Sequence, residues 1–291
     1  MLAYASHQGA VLDPVTPVAV HLLFDIADTH LVKGALTRLA TIADGQQLCI
    51  GIGQPLATLL NVSLPGLSQF QAPDGARVDV PSTPHALWCW VRGSERGDLV
   101  HLQRHLMTAL GGAFRLAGQV ESFCYHQGRD LTGYEDGTEN PEGDDAADAA
   151  LQPSGASCAV LQQWQHLYDK FEAMSPAEQD NAIGRRKSDN EELEDAPASA
   201  HVKRTAQESF TPEAFMLRRS MPWAAGDASG LMFLAFGRNF HAFEAQLTRM
   251  TGAEDDVVDA LFTFSRPLWT AYFWCPPVKQ GCADLSALDL A

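Results

Sequence analysis

The sequence predicts an α+β protein: a duplicated ferredoxin-like fold of two βαββαβ units, with antiparallel sheets packed together and helices outside. Three observations predict it. Short apolar runs of strand length alternate with stretches whose apolar residues recur every three to four positions. The element order is strand, helix, strands, helix, strand, and the second half repeats that order without repeating sequence. The 291 residues, 46% of them hydrophobic, suffice for one large domain or two ordinary ones with a sizeable core.

The strand-like runs are PVAVHLLFDIA (17–27), QLCIGIG (47–53), HALWCWVRG (85–93), CAVLQQWQH (158–166), GLMFLAFG (230–237) and WTAYFWC (269–275). Between them Leu31, Val32, Ala35, Leu36, Leu39 and Ile42 fall on one helical face. Leu99, Leu102, Leu106 and Leu110 form a second seam, and Phe240, Phe243, Leu247 and Met250 a third. These seams are core-facing packing. The join falls in PEGDDAADAALQPSG (141–155), which divides the chain into an N-terminal half, 1–150, and a C-terminal half, 151–291. A second polar stretch, 184–200, lacks hydrophobic periodicity and is predicted to be a long exposed or partner-facing loop.

Charge excludes several classes of function. Twenty Lys and Arg against 36 Asp and Glu leave a formal net charge of −16. Nucleic-acid binding needs a basic face for phosphates, and docking on anionic lipid needs a basic surface. The expected partners are therefore small molecules, with no nucleic acid and no membrane. The six cysteines form no CxxC pair, and most lie in apolar runs, so they read as free thiols in a reducing compartment. No window approaches the roughly 18 apolar residues of a membrane span, and no signal-like leader opens the chain, so a cytoplasmic protein is expected.

Three motifs carry chemistry. The first is GRDLTGYEDGTENP, Gly128 to Pro141, which sets the carboxylate of Asp136 in a turn between Gly133 and Gly137. The second is His201, opening HVKR directly after the polar stretch. The third is MLRRSMPW, with Arg218 and Arg219 side by side. In a strand, side chains alternate, so only one of these arginines can face a site. Their order and spacing resemble the dye-decolourising peroxidases, a haem enzyme family, and within it the B subclass; the resemblance spans essentially the whole chain.

The resemblance implies haem b as cofactor and His201 as the iron ligand. It makes Asp136, with Gly137 and Thr138 beside it, the distal loop, and Arg218 the distal arginine. Ser220 would be a small polar residue on the same face. It implies reduction of hydrogen peroxide through Compound I and one-electron oxidation of a dye or phenolic reductant, by a protein that assembles as a homo-oligomer. The chemistry suits these residue types. A carboxylate can accept a proton from one peroxide oxygen and return it to the other. A guanidinium stabilises charge on the leaving oxygen without itself deprotonating.

A proximal histidine donates its second ring N–H to a carboxylate or carbonyl. Asp255, Asp256 and Asp259 are the candidates; Asp259 precedes an apolar run and matches the family's D-x-L-x-x-F pattern, while a turn cap is its plainer reading. Arg204 could pair with a haem propionate or be a surface charge. Phe233, Leu234 and Phe236 could line the haem or be plain core. Two further readings stand beside the peroxidase. One is a haem carrier or iron-releasing protein on the same fold; the other is a ferredoxin-like dimer without an activity.

Overall fold

Residues along each strand alternate between two apolar environments, and that alternation builds the molecule. The computed structural model describes residues 6–126 and 128–290. The first half supplies β1 (Val18–Ile26), α1 (Val32–Ala40), β2 (Leu48–Gly53), α2 (Gln54–Leu60), β3 (Leu87–Gly93), α3 (Arg96–Leu110) and β4 (Phe114–Phe123). The second supplies α4 (Gly143–Ala150), β5 (Ser157–His166), α5 (Tyr168–Glu172), α6 (Pro176–Ile183) and α7 (His201–Arg204). It continues with β6 (Leu217–Arg218), β7 (Met221–Ala225), β8 (Ala228–Gly237), α8 (His241–Met250) and β9 (Ser265–Cys275).

In the first half the strand order is β2-β3-β1-β4, and in the second β9-β5-β8 with β7 and β6 along the edge of β8. Every pairing between these strands is antiparallel. In each half the first and third strands are central neighbours, as a βαββαβ unit requires. β6 and β7 share one register on β8, with Arg218 opposite Ala235 and Met221 opposite Met232, so they act as one strand interrupted at Arg219 and Ser220. The two sheets do more than pack face to face. β2 pairs with β9 at Ile52↔Trp274, and β4 pairs with β7 at Ser122↔Trp223, closing both sheets into one ring.

The inside of that ring is filled by Leu23, Trp88, Trp90, Leu234, Phe236 and Phe273. Each such side chain contributes roughly 1.5–3 kcal/mol by leaving water, and truncating Trp88 to Ala would cost roughly 3–5 kcal/mol. His21 lies among them, stacked on Trp88 and Trp90 and accepting a hydrogen bond at Nδ1 from Trp88 Nε1 at 3.3 Å. Burial pushes its imidazole down to about 3.

The outer faces differ between the halves, and that difference makes room for a site. On the first sheet, Val20, Leu22 and Phe24 are covered by Leu36 and Leu39 of α1 and Leu106 of α3. On the second, Val160, Ala235 and Tyr272 are covered by Phe240, just before α8, and by Phe243 and Leu247 of α8. The connection from β5 to β6 carries only the short helices α5, α6 and α7. No long helix there fills the sheet face, and a cavity opens over β5, β6 and β8. Among the described residues no helix is long and apolar enough to cross a membrane.

Candidate active site

The cavity is lined mainly by apolar and aromatic side chains with a few convergent polar groups, as small-molecule sites are. Its floor is the outer face of the second sheet, with Trp164, Leu231 and Phe233; α8 closes one side with Phe243, Leu247 and Met250. Three polar residues predicted from the sequence reach it together: Asp136, His201 and Arg218.

Asp136 is delivered by a tightly bonded loop. Its N–H donates to Gly128 O at 2.9 Å, and Arg129 Nη2 pairs with Glu135 Oε1 at 3.0 Å. Gly137 has φ +77°, where a side chain is disfavoured, and a Cβ there would stand 2.9 Å from Asn140 Nδ2. The polar segment 184–200 covers this loop from outside. Arg185 pairs with Glu139 at 2.6 Å, and Asn190 Nδ2 donates to Glu135 Oε2 and Thr138 Oγ1. The Asp136 carboxylate takes no hydrogen bond from a described residue.

Arg218 reaches the cavity from β6, and strand alternation sends Arg219 to the other face, where its Nη2 donates to Leu12 O. The Arg218 Nε is buried without a partner among the described residues. Burial, and the nearby Arg92 guanidinium, bring Arg219 down to about 10.

His201 opens α7, which lies close to the end of α6 because Gly184 has no side chain: a Cβ there would meet Val202 Cγ2 at 2.3 Å. The His201 ring lines the cavity, and its Nδ1 meets Asp259 Oδ2 at 2.7 Å. Asp259 is fully buried, and its other oxygen accepts from Leu261 N at 2.8 Å. A carboxylate on Nδ1 fixes the tautomer and leaves Nε2 as the available donor atom.

A sequence model of the family described as Dyp-type peroxidase, C-terminal, matches residues 127–280, more than half of the chain. The chain belongs to the Dyp-type peroxidase family. A dye-decolorizing peroxidase of Mycolicibacterium paratuberculosis is 29% identical, over 92% of this chain and 83% of the relative. Among solved structures, a dye-decolorizing protein from V. cholerae superposes with TM-score 0.82 at 27% identity, covering 92% of this chain and 96% of that one. A DypB variant from Rhodococcus jostii RHA1 in complex with haem superposes with TM-score 0.81 at 27% identity, covering 95% of this chain and 96% of that one.

Within this Dyp-type peroxidase, several expected site residues sit elsewhere. Phe233 lines the cavity, but Leu234 and Phe236 belong to the core inside the ring. Neighbours in a strand point to opposite faces, and Phe236 shares its face with Leu234. Arg204 is buried away from the cavity lining. Its Nη1 and Nη2 grip Asp255 at 2.7 and 2.6 Å, and Nη2 also donates to Arg249 O at 2.6 Å. Ser220 does not line the cavity; its Oγ accepts from Leu234 N at 3.4 Å. Gly137 and Thr138 border a second, outer opening that shares Asp136, His201 and Arg218 with the main cavity.

Two groups of wall residues escaped the sequence. Asp130 and His166 meet at 2.9 Å in the cavity wall, and His166 Nδ1 meets Ser265 Oγ at 2.9 Å. Burial pushes the Asp130 carboxyl up, but hydrogen bonds from His166 and Thr132 outweigh it and hold the group below its ordinary range. Ser265 Oγ in turn donates to Gln165 O at 3.3 Å. Tyr134 also lines the cavity and donates to Asp180 Oδ1 at 2.5 Å. Neither pair was marked by a local motif, because the partners lie 36 and 46 residues apart.

Proposed function

We propose that this chain is a haem-dependent peroxidase that reduces hydrogen peroxide and oxidises dyes or phenols by one-electron steps. One observation carries the reading: a single cavity holds a histidine with its Nδ1 already committed, and a carboxylate and a guanidinium with no partners among the described residues. The residues fit haem b. His201 offers Nε2 beside apolar walls, and the buried Nε of Arg218 calls for an acceptor that no described residue supplies. The DypB variant solved with haem has the same fold over nearly the whole chain.

Haem, when bound, would supply an iron that can take up peroxide. His201 would hold that iron, and Asp259 would orient the ring and add negative charge to it. Asp136 would take the proton from one peroxide oxygen and return it to the other. Arg218 would stabilise negative charge on the departing oxygen. Phe233, Phe243 and Leu247 exclude water from the same space. A haem carrier needs His201 but has no use for an unpartnered Asp136 and Arg218 together, and this favours the peroxidase.

The reductant in this reading is a small organic donor. The chain acts as a homo-oligomer in the cytoplasm. Six free thiols suit a reducing compartment, and exposed Leu31, Val100 and Met107 offer apolar surface for self-association.

Titration of haem-free protein with haem tests the reading. The wild type should develop a Soret band that saturates at one haem per chain, and His201→Ala should lose most of it or require added imidazole. An unchanged five-coordinate high-spin spectrum in His201→Ala would mean that another residue holds the iron.

A further inference from the structure

We propose that Asn140 is a positioning residue for peroxide reduction, fixing Arg218 relative to Asp136 by holding the Arg218 main chain; this rests on the peroxidase reading above. Asn140 Oδ1 accepts from Arg218 N at 2.8 Å, and Asn140 Nδ2 donates to Arg218 O at 3.1 Å. β6 is an edge strand, and its outward N–H and C=O groups have no strand neighbour. The Asn140 carboxamide takes the place of that neighbour, with one acceptor and one donor.

The contact matters because no hydrogen bond joins the Arg218 guanidinium to another described residue, and its Nε is buried without a partner among them. Only its main chain and packing set where it points. Asn140 lies four residues beyond Asp136 in the same loop, so one side chain joins the two polar groups of the cavity. Gly137 makes the join possible, because a Cβ there would press on Asn140 Nδ2 at 2.9 Å. Buried Gln207 adds a second link: its Nε2 donates to Glu139 O at 2.7 Å and its Oε1 accepts from Met216 N at 3.1 Å. Two carboxamides thus lace loop residues 139 and 140 to residue 216, just before β6, and residue 218 within it.

A double-mutant cycle on the full haem-loaded chain tests this, using Asn140→Ala and Arg218→Leu. Two quantities are read: the second-order rate with hydrogen peroxide, and the dissociation constant of fluoride at the iron. Fluoride binding reports a guanidinium in hydrogen-bonding position without any turnover. Asn140→Ala alone should slow the peroxide reaction roughly 10- to 100-fold, the scale of small misplacements of a catalytic group, and should weaken fluoride in parallel. Added to Arg218→Leu, it should change neither quantity by more than about twofold, because the residue through which it acts is gone.

A general structural role would give equal losses in both backgrounds, and that result overturns the proposal. So does an Asn140→Ala protein within about twofold of wild type on both readouts. Should Asn140→Ala not fold, Asn140→Asp carries the same cycle. It is isosteric, keeps the acceptor for Arg218 N, and sets an oxygen against Arg218 O. If Arg218→Leu itself reacts with peroxide at the wild-type rate, the assignment of the site and this inference fail together. If Arg218→Leu is slow and Asn140→Ala is not, only the inference fails.

Discussion

Asp259 divides its two oxygens between two partners, His201 Nδ1 and Leu261 N, so it serves both as histidine partner and as turn cap. The sequence left those readings as alternatives because each needs only a carboxylate before an apolar run. Asp259→Asn keeps an acceptor but removes the charge. It should weaken haem retention roughly 10- to 100-fold, as loss of such partners does, and raise the iron reduction potential. Competition with apo-myoglobin and spectroelectrochemistry would measure both, and unchanged values would remove Asp259 from the proximal pair. Asp136, His201 and Arg218 were legible because each sits in a distinctive local string. Asn140 lay in plain view in TENP, yet its partner is the backbone of a residue 78 positions away, and no spacing rule encodes that.

At the scale of elements, β8 shows where sequence reading fails. In GLMFLAFG both faces are apolar, so the run gives no phase. Only the register with β5 and β6 separates Phe233, on the cavity side, from Leu234 and Phe236 inside the ring. β1, β2, β3, β5 and β8 were found nearly to their ends and β9 only from Trp269 onward, whereas β4, with the largely exposed sequence FRLAGQV, and the two-residue β6 carry too few apolar residues to stand out. The distal loop depends on its backbone in the same way. Gly137→Ala would force a side chain into the left-handed region at φ +77° and against Asn140. A cost of roughly 1–2 kcal/mol is expected, read as a lower denaturation midpoint together with slower reaction with peroxide. A variant as stable and as fast as wild type would show that the loop tolerates movement.

At the scale of the whole molecule, two ferredoxin-like units closed edge to edge share an apolar interior, and His21 is a titratable group buried within it. Folded, its pKa is lowered to about 3, whereas in the unfolded chain it titrates near 6.5. Between these values the unfolded chain binds the proton and the folded one does not. Stability should therefore fall as pH drops through that window, by at most about 1.4 kcal/mol per pH unit. Asp130 and Asp255, both held below the ordinary carboxylate range, add a further loss only at lower pH. His21→Gln, which still offers Trp88 an acceptor, should flatten the denaturation midpoint between about pH 6.5 and 4.5; an equally steep profile would place the acid sensitivity elsewhere. The most direct measurement on the central claim is the stopped-flow rate of haem-loaded protein with hydrogen peroxide, compared among wild type, Asp136→Asn and Arg218→Leu. Loss of the guanidinium should slow the reaction roughly 10²–10³-fold and loss of the carboxylate roughly 10²–10⁴-fold, whereas wild-type rates in both variants would contradict a peroxidase working through this pair.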